Sequence, residues 1–239
     1  FAVRPELVEE SAVCQQGFDR LSPNGVQEIN LIKNTLDLAT FGPVIPVIVL
    51  EHVEHAVPLA RALVQGGVRV LEVTLRTKAA LACIEVIVRE VPDAIVGSGT
   101  LRTPDDVHAA KKAGCQFGVS PGYTSEIAQT CRAVGLPLLP GVATASEVMQ
   151  ANAEGFSFLK FFPATAAGGI PMLKALAGPF PDVAFCPTGG ITPETASQFL
   201  ALPNVKVCGG SWLTPGDAVN AGDWARITAL AQAASRLRA

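Results

Sequence analysis

The sequence predicts an α/β barrel of the TIM (β/α)8 type, with an N-terminal helix that caps the lower mouth of the barrel. Eight short apolar runs alternate with stretches of helical spacing, which is the pattern of repeated βα units. Hydrophobic residues make up 49% of the chain and charged residues 16%, as is typical when strands are covered on both faces. A length of 239 residues suits one barrel better than two small domains. An open doubly wound sheet is the alternative architecture.

The predicted elements follow one another in order along the chain. The eight predicted strands are residues 44–50, 68–75, 94–98, 116–120, 137–140, 157–162, 183–187 and 206–208. Residues 53–65 and 79–90 have apolar side chains at helical spacing between consecutive strands. Thr103, Ser125 and Thr192, each followed by proline or an acid, indicate helix starts. The glycines expected to end helices before the next strand are Gly66, Gly67, Gly114, Gly135 and Gly155.

The N-terminal part of the chain separates into two predicted pieces. Residues 27–40 have apolar side chains at helical spacing, namely Ile29, Ile32, Leu36 and Ala39, and are the predicted capping helix. Residues 1–27 form an extension to which the sequence assigns no role, so the catalytic domain is expected to span residues 28–239.

Charge and cysteine usage limit the partners and the compartment. The net charge is −3 and the charges are scattered singly, which argues against a nucleic-acid or membrane partner. The first ten residues lack the apolar core of a signal peptide, and no stretch reaches the roughly 18 apolar residues of a membrane span. Six cysteines occur without a CxxC motif and indicate buried free thiols. A soluble cytoplasmic protein that binds a small anion is expected.

Lys160 is the most informative residue, because it lies in the middle of an apolar predicted strand. Desolvation favours the uncharged form of an amine, and an uncharged amine can attack a ketone. Lys160 is therefore a candidate Schiff-base nucleophile. The alternative is a structural lysine in a buried ion pair.

Polar and apolar residues alternate along the second predicted strand. The period of two places Glu72, Thr74 and Arg76 on the lumen side of a barrel or at its rim. Glu72 is a candidate proton carrier, and the guanidinium of Arg76 suits a carboxylate. A salt bridge between Glu72 and Lys160 that only fills the core is the alternative.

Paired glycines follow the last two predicted strands, at residues 189–190 and 209–210, and Ser211 adds a hydroxyl. Such pairs let backbone N–H groups approach an anion, and the loops after strands seven and eight are the usual phosphate site of this barrel type. A third pair at residues 168–169 either widens the same site or forms a plain loop.

The sequence predicts neither a metal nor a cofactor. His52 and His55 lie three residues apart but lack a third ligand nearby, so we interpret them as surface residues. Residues 97–99 resemble part of a dinucleotide fingerprint without its third glycine. They are better interpreted as a loop that places Thr100 at the site.

Taken together, these residues resemble the 2-dehydro-3-deoxy-phosphogluconate (KDPG) aldolase family, and the resemblance runs from about residue 28 to the C-terminus. The motifs that carry it, in family order, are GPVIPVI at 42–48, LEVTLRT at 71–77, VSPG at 119–122, LKFFPA at 159–164, CPTGGI at 186–191 and GGSWL at 209–213. Ser98 stands where the family commonly has alanine.

The resemblance implies a role for each matching residue. Lys160 would form the Schiff base with the C2 ketone, and Glu72 would act as general base and acid. The substrate carboxylate would be held by Arg76 and Thr100. The pocket residues would be Pro121, Phe162 and Thr188, and the phosphate ligands Gly189, Gly190 and Ser211.

The resemblance also implies a reaction and an assembly. A metal-independent homotrimer of the Entner–Doudoroff pathway would release pyruvate and D-glyceraldehyde 3-phosphate. Two other substrates stay open, namely the C4 epimer 2-dehydro-3-deoxy-6-phosphogalactonate and the unphosphorylated 4-hydroxy-2-oxoglutarate. A metal-dependent aldolase and a phosphosugar-binding barrel without catalysis are the alternatives in mechanism.

Overall fold

The fold is a mixed α/β architecture built on parallel strands. It is seen in a computed structural model that describes residues 32–237, so the extension at residues 1–27 and the first part of the predicted capping helix lie outside the described residues. The strands of the described part are β1 (Val44–Ile48), β2 (Val70–Thr74), β3 (Ile95–Gly99), β4 (Phe117–Val119), β5 (Leu138–Leu139), β6 (Gly141–Val142), β7 (Phe158–Phe161), β8 (Ala184–Pro187) and β9 (Cys208–Gly210). Every pairing between them is parallel.

The strands form two sheets. One has the order β5-β4-β3-β2-β1-β9 and the other the order β6-β7-β8. An isolated parallel bridge joins Thr188, just after β8, to Gly209 in β9. The fifth predicted strand, residues 137–140, corresponds to β5, and Pro140 separates it from β6 because proline has no N–H to donate to a strand ladder. The eighth begins two residues later than predicted, at Cys208.

Helices follow most strands, as the alternating pattern predicts. The helices of the described part are α1 (Ala56–Gln65), α2 (Ala80–Glu90), α3 (Pro104–Lys112), α4 (Ser125–Ala133), α5 (Ala145–Ala153), α6 (Gly169–Ala177), α7 (Pro193–Leu200), α8 (Gly216–Ala221) and α9 (Trp224–Ser235). Two 3-10 helices span Thr35–Phe41 and Val53–His55. No helix in residues 32–237 is long and apolar enough to cross a bilayer.

Local sequence signals set the helix boundaries. Thr103 caps α3 as predicted, and its hydroxyl accepts the N–H of Asp106 at 3.1 Å. The predicted cap at Ser125 is wrong by one residue, since the hydroxyl of Thr124 accepts the N–H of Ile127 and Ser125 is already helical. Gly114 shows why glycine follows α3, because its φ of 91° lies in the left-handed region.

The described part of the predicted capping segment is the 3-10 helix Thr35–Phe41. Leu36 was expected on its apolar face but is exposed, whereas Leu38 and Ile32 are fully buried. A 3-10 helix has three residues per turn, so the inward face differs from the one that α-helical spacing predicts.

Side chains on each strand alternate between two environments. One set packs against the helices, as Leu71, Val73, Leu159 and Phe161 do. The other set draws residues from both sheets into what we term the central apolar cluster, which is Ile32, Leu38, Ile45, Val70, Ile95, Phe117, Val119, Leu139, Phe158, Cys186 and Val207. The alternation predicted for the second strand is therefore observed, and Glu72 shares the face of Val70.

Candidate active site

Glu72 and Lys160 meet directly above the central apolar cluster. Glu72 lies two residues after Val70 on β2, and Lys160 lies two residues after Phe158 on β7, so each continues the face of a cluster residue. The Lys160 Nζ donates to Glu72 Oε1 at 3.0 Å and approaches Oε2 at 3.4 Å. The two residues are only 3% and 4% exposed. A buried, hydrogen-bonded acid and amine thus share one site.

Small and apolar groups surround Glu72 and Lys160. A Cβ added at Gly99 would overlap the Glu72 carboxylate, so only glycine fits there. Lys160 pairs across the sheet with Cys186, and burial raises the pKa of that thiol to about 12, so it stays protonated at neutral pH. The Lys160 Nζ also lies 5.5 Å from the centre of the Phe162 ring.

Arg76 and Thr100 come together at the ends of β2 and β3. The Arg76 Nε donates to Thr100 Oγ1 at 3.3 Å. Thr100 has a φ of 65°, which is rare for a β-branched residue. Thr74, predicted to face the lumen, donates its hydroxyl to the Ile48 carbonyl at 2.9 Å and is engaged in the framework.

A small cleft, with a volume of about 100 Å³, opens beside these residues. Its lining is Val47, Arg76, Phe162, Thr188, Gly189, Gly190, Ile191, Gly209 and Ser211. Six of the ten residues predicted from the sequence are among them. Gly209 belongs to the second predicted glycine pair. Sequence reasoning missed Val47 and Ile191, although Val47 could have been found because it lies two residues after Ile45 on the inward face of β1.

Four predicted residues do not line the cleft. Lys160 lies near Phe162 of the lining, and Thr100 is bonded to Arg76 of the lining. Glu72 contacts Lys160 and so lies one residue further from the cleft. The carbonyl of Pro121 lies where a Cβ at Gly141 would stand, and Gly141 pairs with Lys160. Pro121 is therefore one strand away from the amine, outside the cleft lining.

The glycine pairs differ in what their backbone can offer. Gly189 and Gly190 have φ values of 102° and 75°, which turn the chain sharply at the cleft. At the third pair, the N–H of Gly168 donates to Thr165 O and that of Gly169 to Ala164 O. Those two N–H groups are bonded within their own turn, so residues 168–169 form the start of α6.

The histidines lie apart from this site. His52 is exposed, and its ring packs edge-on against His55, which in turn contacts Trp224. Over residues 32–237, no three His, Cys, Asp or Glu side chains converge as metal ligands would.

Comparison with known proteins decides the family. A family model described as KDPG and KHG aldolase matches residues 34–230. The chain belongs to this family. It is therefore an aldolase, a lyase of the Schiff-base class.

Two relatives show how similar the chain is to other members of the family. The chain is 53% identical to the 2-dehydro-3-deoxy-phosphogluconate aldolase of Pseudoalteromonas atlantica over 198 residues, covering 83% of this chain and 92% of the relative. It is 52% identical to the KHG/KDPG aldolase of Escherichia coli over 197 residues, covering 82% and 92%.

Two crystal structures of aldolases from this family are also similar. The KDPG aldolase of Legionella pneumophila, with pyruvate captured as a covalent carbinolamine, has a TM-score of 0.82 and 48% identity, and the match covers 84% of this chain and 97% of that one. The Zymomonas mobilis enzyme with 3-phosphoglycerate has a TM-score of 0.81 and 46% identity, with coverages of 87% and 98%.

Proposed function

We propose that this aldolase cleaves 2-dehydro-3-deoxy-6-phosphogluconate into pyruvate and D-glyceraldehyde 3-phosphate, through a Schiff base on Lys160. The observation that carries the proposal is the buried 3.0 Å contact between Lys160 and Glu72, next to a cleft edged with paired glycines.

The first half of the reaction needs an uncharged amine. Glu72 is within hydrogen-bond distance of Lys160 Nζ and can accept its proton. The free amine then attacks the C2 carbonyl carbon, and loss of water from the carbinolamine leaves a protonated imine. The carbon–nitrogen double bond is an electron sink adjacent to the bond that must break.

The second half of the reaction breaks the C3–C4 bond and then adds a proton to C3. Removal of the proton from the C4 hydroxyl breaks the C3–C4 bond, and the bonding electrons move to the imine nitrogen to give an enamine. Glyceraldehyde 3-phosphate leaves, the enamine takes a proton at C3, and hydrolysis of the imine releases pyruvate. Glu72, acting through a water molecule, is the proton carrier for both transfers.

The ends of the substrate match the two polar edges of the site. We assign the carboxylate to Arg76 and Thr100, because a guanidinium and a hydroxyl meet there. We assign the distal phosphate to Gly189, Gly190 and Ser211 in the cleft lining.

The walls of the pocket between those ends complete the assignment. We assign them to Phe162 and Thr188, with Pro121 behind the amine. The Legionella relative captured with pyruvate and the Zymomonas relative with 3-phosphoglycerate support a substrate that has a 2-keto acid at one end and a phosphate at the other.

We further propose that the two sheets are halves of one closed (β/α)8 barrel. The central apolar cluster draws on both sheets, and the bridge from Thr188 to Gly209 joins β8 to β9. If β5 and β6 are counted as one strand interrupted at Pro140, the strands number eight. Burial of Ile32 and Leu38 in the cluster supports a cap at its lower end.

Assembly, location and domain limits belong to the same proposal. Residues 28–239 would form one catalytic domain, in a homotrimer as the family resemblance implies, with residues 1–27 outside it. A cytoplasmic location fits the described cysteines, namely Cys83, Cys115, Cys131, Cys186 and Cys208, which are buried free thiols.

The decisive experiment traps the imine. Borohydride added with pyruvate should fix a three-carbon adduct on Lys160, located by peptide mass spectrometry. Lys174, an exposed lysine on α6, is an internal control that should stay unmodified. An adduct on another residue, or none at all, would refute the assignment of Lys160.

Substrate and mechanism alternatives have separate tests. Initial rates on the gluconate, its C4 epimer and 4-hydroxy-2-oxoglutarate should rank the phosphorylated gluconate first. Loss of activity in EDTA would favour a metal-dependent aldolase. Binding of the phosphorylated acid without release of pyruvate would favour a binding barrel without catalysis.

A further inference from the structure

Thr165 lies beside the glycine turn to which the phosphate is assigned, although no sequence motif singles it out. Its backbone N–H donates to Gly189 O at 3.1 Å, and that of Ala164 donates to Thr188 O at 2.8 Å. These two bonds hold the chain after β7 alongside the chain after β8. Thr165 is thereby fixed next to Gly190 by backbone contacts alone.

The Thr165 side chain occupies the space that Gly190 leaves empty. A Cβ at residue 190 would stand 2.6 Å from Thr165 Oγ1 and 2.7 Å from Thr165 Cβ. Gly190 lines the cleft, and Thr165 lies against Gly190 without lining the cleft itself. A ligand that projects from the cleft over Gly190 would therefore meet the Thr165 hydroxyl.

The hydroxyl is free for such a contact. Thr165 is exposed, and its Oγ1 makes no hydrogen bond to any of the described residues 32–237. Residues 162–173 carry no charged side chain, so this segment brings no carboxylate that would repel an anion. A hydroxyl can donate one hydrogen bond, and a phosphate offers several acceptor oxygens.

We infer that Thr165 donates a hydrogen bond to the distal phosphate and makes the enzyme prefer phosphorylated over unphosphorylated 2-keto acids. The inference rests on the proposed function and adds a specificity residue to it. It also ranks substrates that the sequence leaves open, because 4-hydroxy-2-oxoglutarate has no phosphate to receive this bond.

The test compares a shape-conserving with a hydroxyl-conserving variant. Thr165→Val keeps the branched shape and removes the donor, whereas Thr165→Ser keeps the donor. The measured quantity is the ratio of kcat/KM for 2-dehydro-3-deoxy-6-phosphogluconate to kcat/KM for its unphosphorylated counterpart. We expect this ratio to fall roughly tenfold in Thr165→Val, through KM for the phosphorylated substrate, and to be retained in Thr165→Ser.

Inorganic phosphate gives a second, independent measurement. As an inhibitor of cleavage of the unphosphorylated substrate, it should bind more weakly to Thr165→Val than to the wild type. Thr130→Val is the matched control, since the Thr130 hydroxyl is bonded to Glu126 O on α4 and should not affect the ratio.

Two results would overturn the inference. One is an unchanged ratio in Thr165→Val, and the other is an equal loss on both substrates, which would indicate packing against Gly190 alone. Either result leaves the aldolase reaction standing. Failure of the wild type to release pyruvate from any of these acids would instead reject the proposed function.

Discussion

On the inward faces of β2 and β7, an apolar level formed by Val70 and Phe158 lies next to a charged level formed by Glu72 and Lys160. Val70 and Phe158 are buried in the central apolar cluster, and two residues later on the same faces Glu72 and Lys160 form a buried ion pair. At both levels β2 pairs with β3 and β7 pairs with β8, and all four residues are buried. The main difference is the chemistry of the side chains.

The difference separates residues that stabilise the fold from residues that perform chemistry. Replacing a buried ion pair by apolar side chains is often neutral or stabilising, because desolvation of two charges offsets their attraction. The apolar level shows that these strands accept such packing. The ion pair is therefore best explained by the reaction, and this explanation can be broken experimentally.

The largest effect is expected when apolar side chains replace the ion pair of Glu72 and Lys160. In the double variant Lys160→Met with Glu72→Leu, activity should fall by at least about 10⁴-fold, since nucleophile and proton carrier are both lost. Its free energy of unfolding, from urea denaturation, should equal or exceed that of the wild type. A marked loss of stability would mean that the pair is structural.

Glu72→Gln separates the two members of the pair. The amide has nearly the same shape but cannot carry a proton, so kcat should fall by roughly 10²- to 10⁴-fold. Lys160 remains, and borohydride with pyruvate should still label it, although more slowly because the amide cannot accept the amine proton. Wild-type kcat in this variant would remove Glu72 from the mechanism.

A substitution in the central apolar cluster should lower stability and leave catalysis nearly unchanged. Phe117 is fully buried in the central apolar cluster. Phe117→Ala should lower the free energy of unfolding by about 3–5 kcal/mol, by cavity formation. The kcat of the folded fraction should stay near that of the wild type, measured well below the melting temperature. A loss of kcat larger than the loss of folded protein would mean that the central apolar cluster also contributes directly to catalysis.

The smallest effect is expected at Ser98, which is fully buried on β3 and whose hydroxyl has no partner in the described part of the chain. An unpaired buried hydroxyl costs about 1–3 kcal/mol, so Ser98→Ala should stabilise the protein by about 1 kcal/mol. Thr74→Val is the contrasting variant, because it removes a hydroxyl that is bonded to Ile48 O, and it should destabilise. Destabilisation by Ser98→Ala would mean that the hydroxyl does have a partner.

The strand face of the site could be predicted because a period of two needs no tertiary information. Alternation along residues 71–76 places Glu72 on the correct side, and the same logic holds for Lys160 on β7. The prediction of the N-terminal segment was partly wrong for the opposite reason. Whether a helix turns every 3.6 or every 3.0 residues depends on its packing, and that decided between Leu36 and Leu38.

Residues that act by proximity could not be predicted. Thr165 comes near Gly190 only through backbone bonds between two loops, and no local pattern announces that contact. Thr100 was placed at the site by its position after β3, but its contact with Arg76 depends on a backbone angle that sequence does not encode for threonine.

The close contact between Gly99 and the Glu72 carboxylate also guides the choice of positions for protein engineering. Any side chain there would displace the Glu72 carboxylate, so a mutant library that randomises residue 99 would mostly sample inactive enzymes. Val47 and Ile191 border the cleft with ordinary side chains. Diversity placed at those two positions is the better route to aldolases that accept new aldehydes.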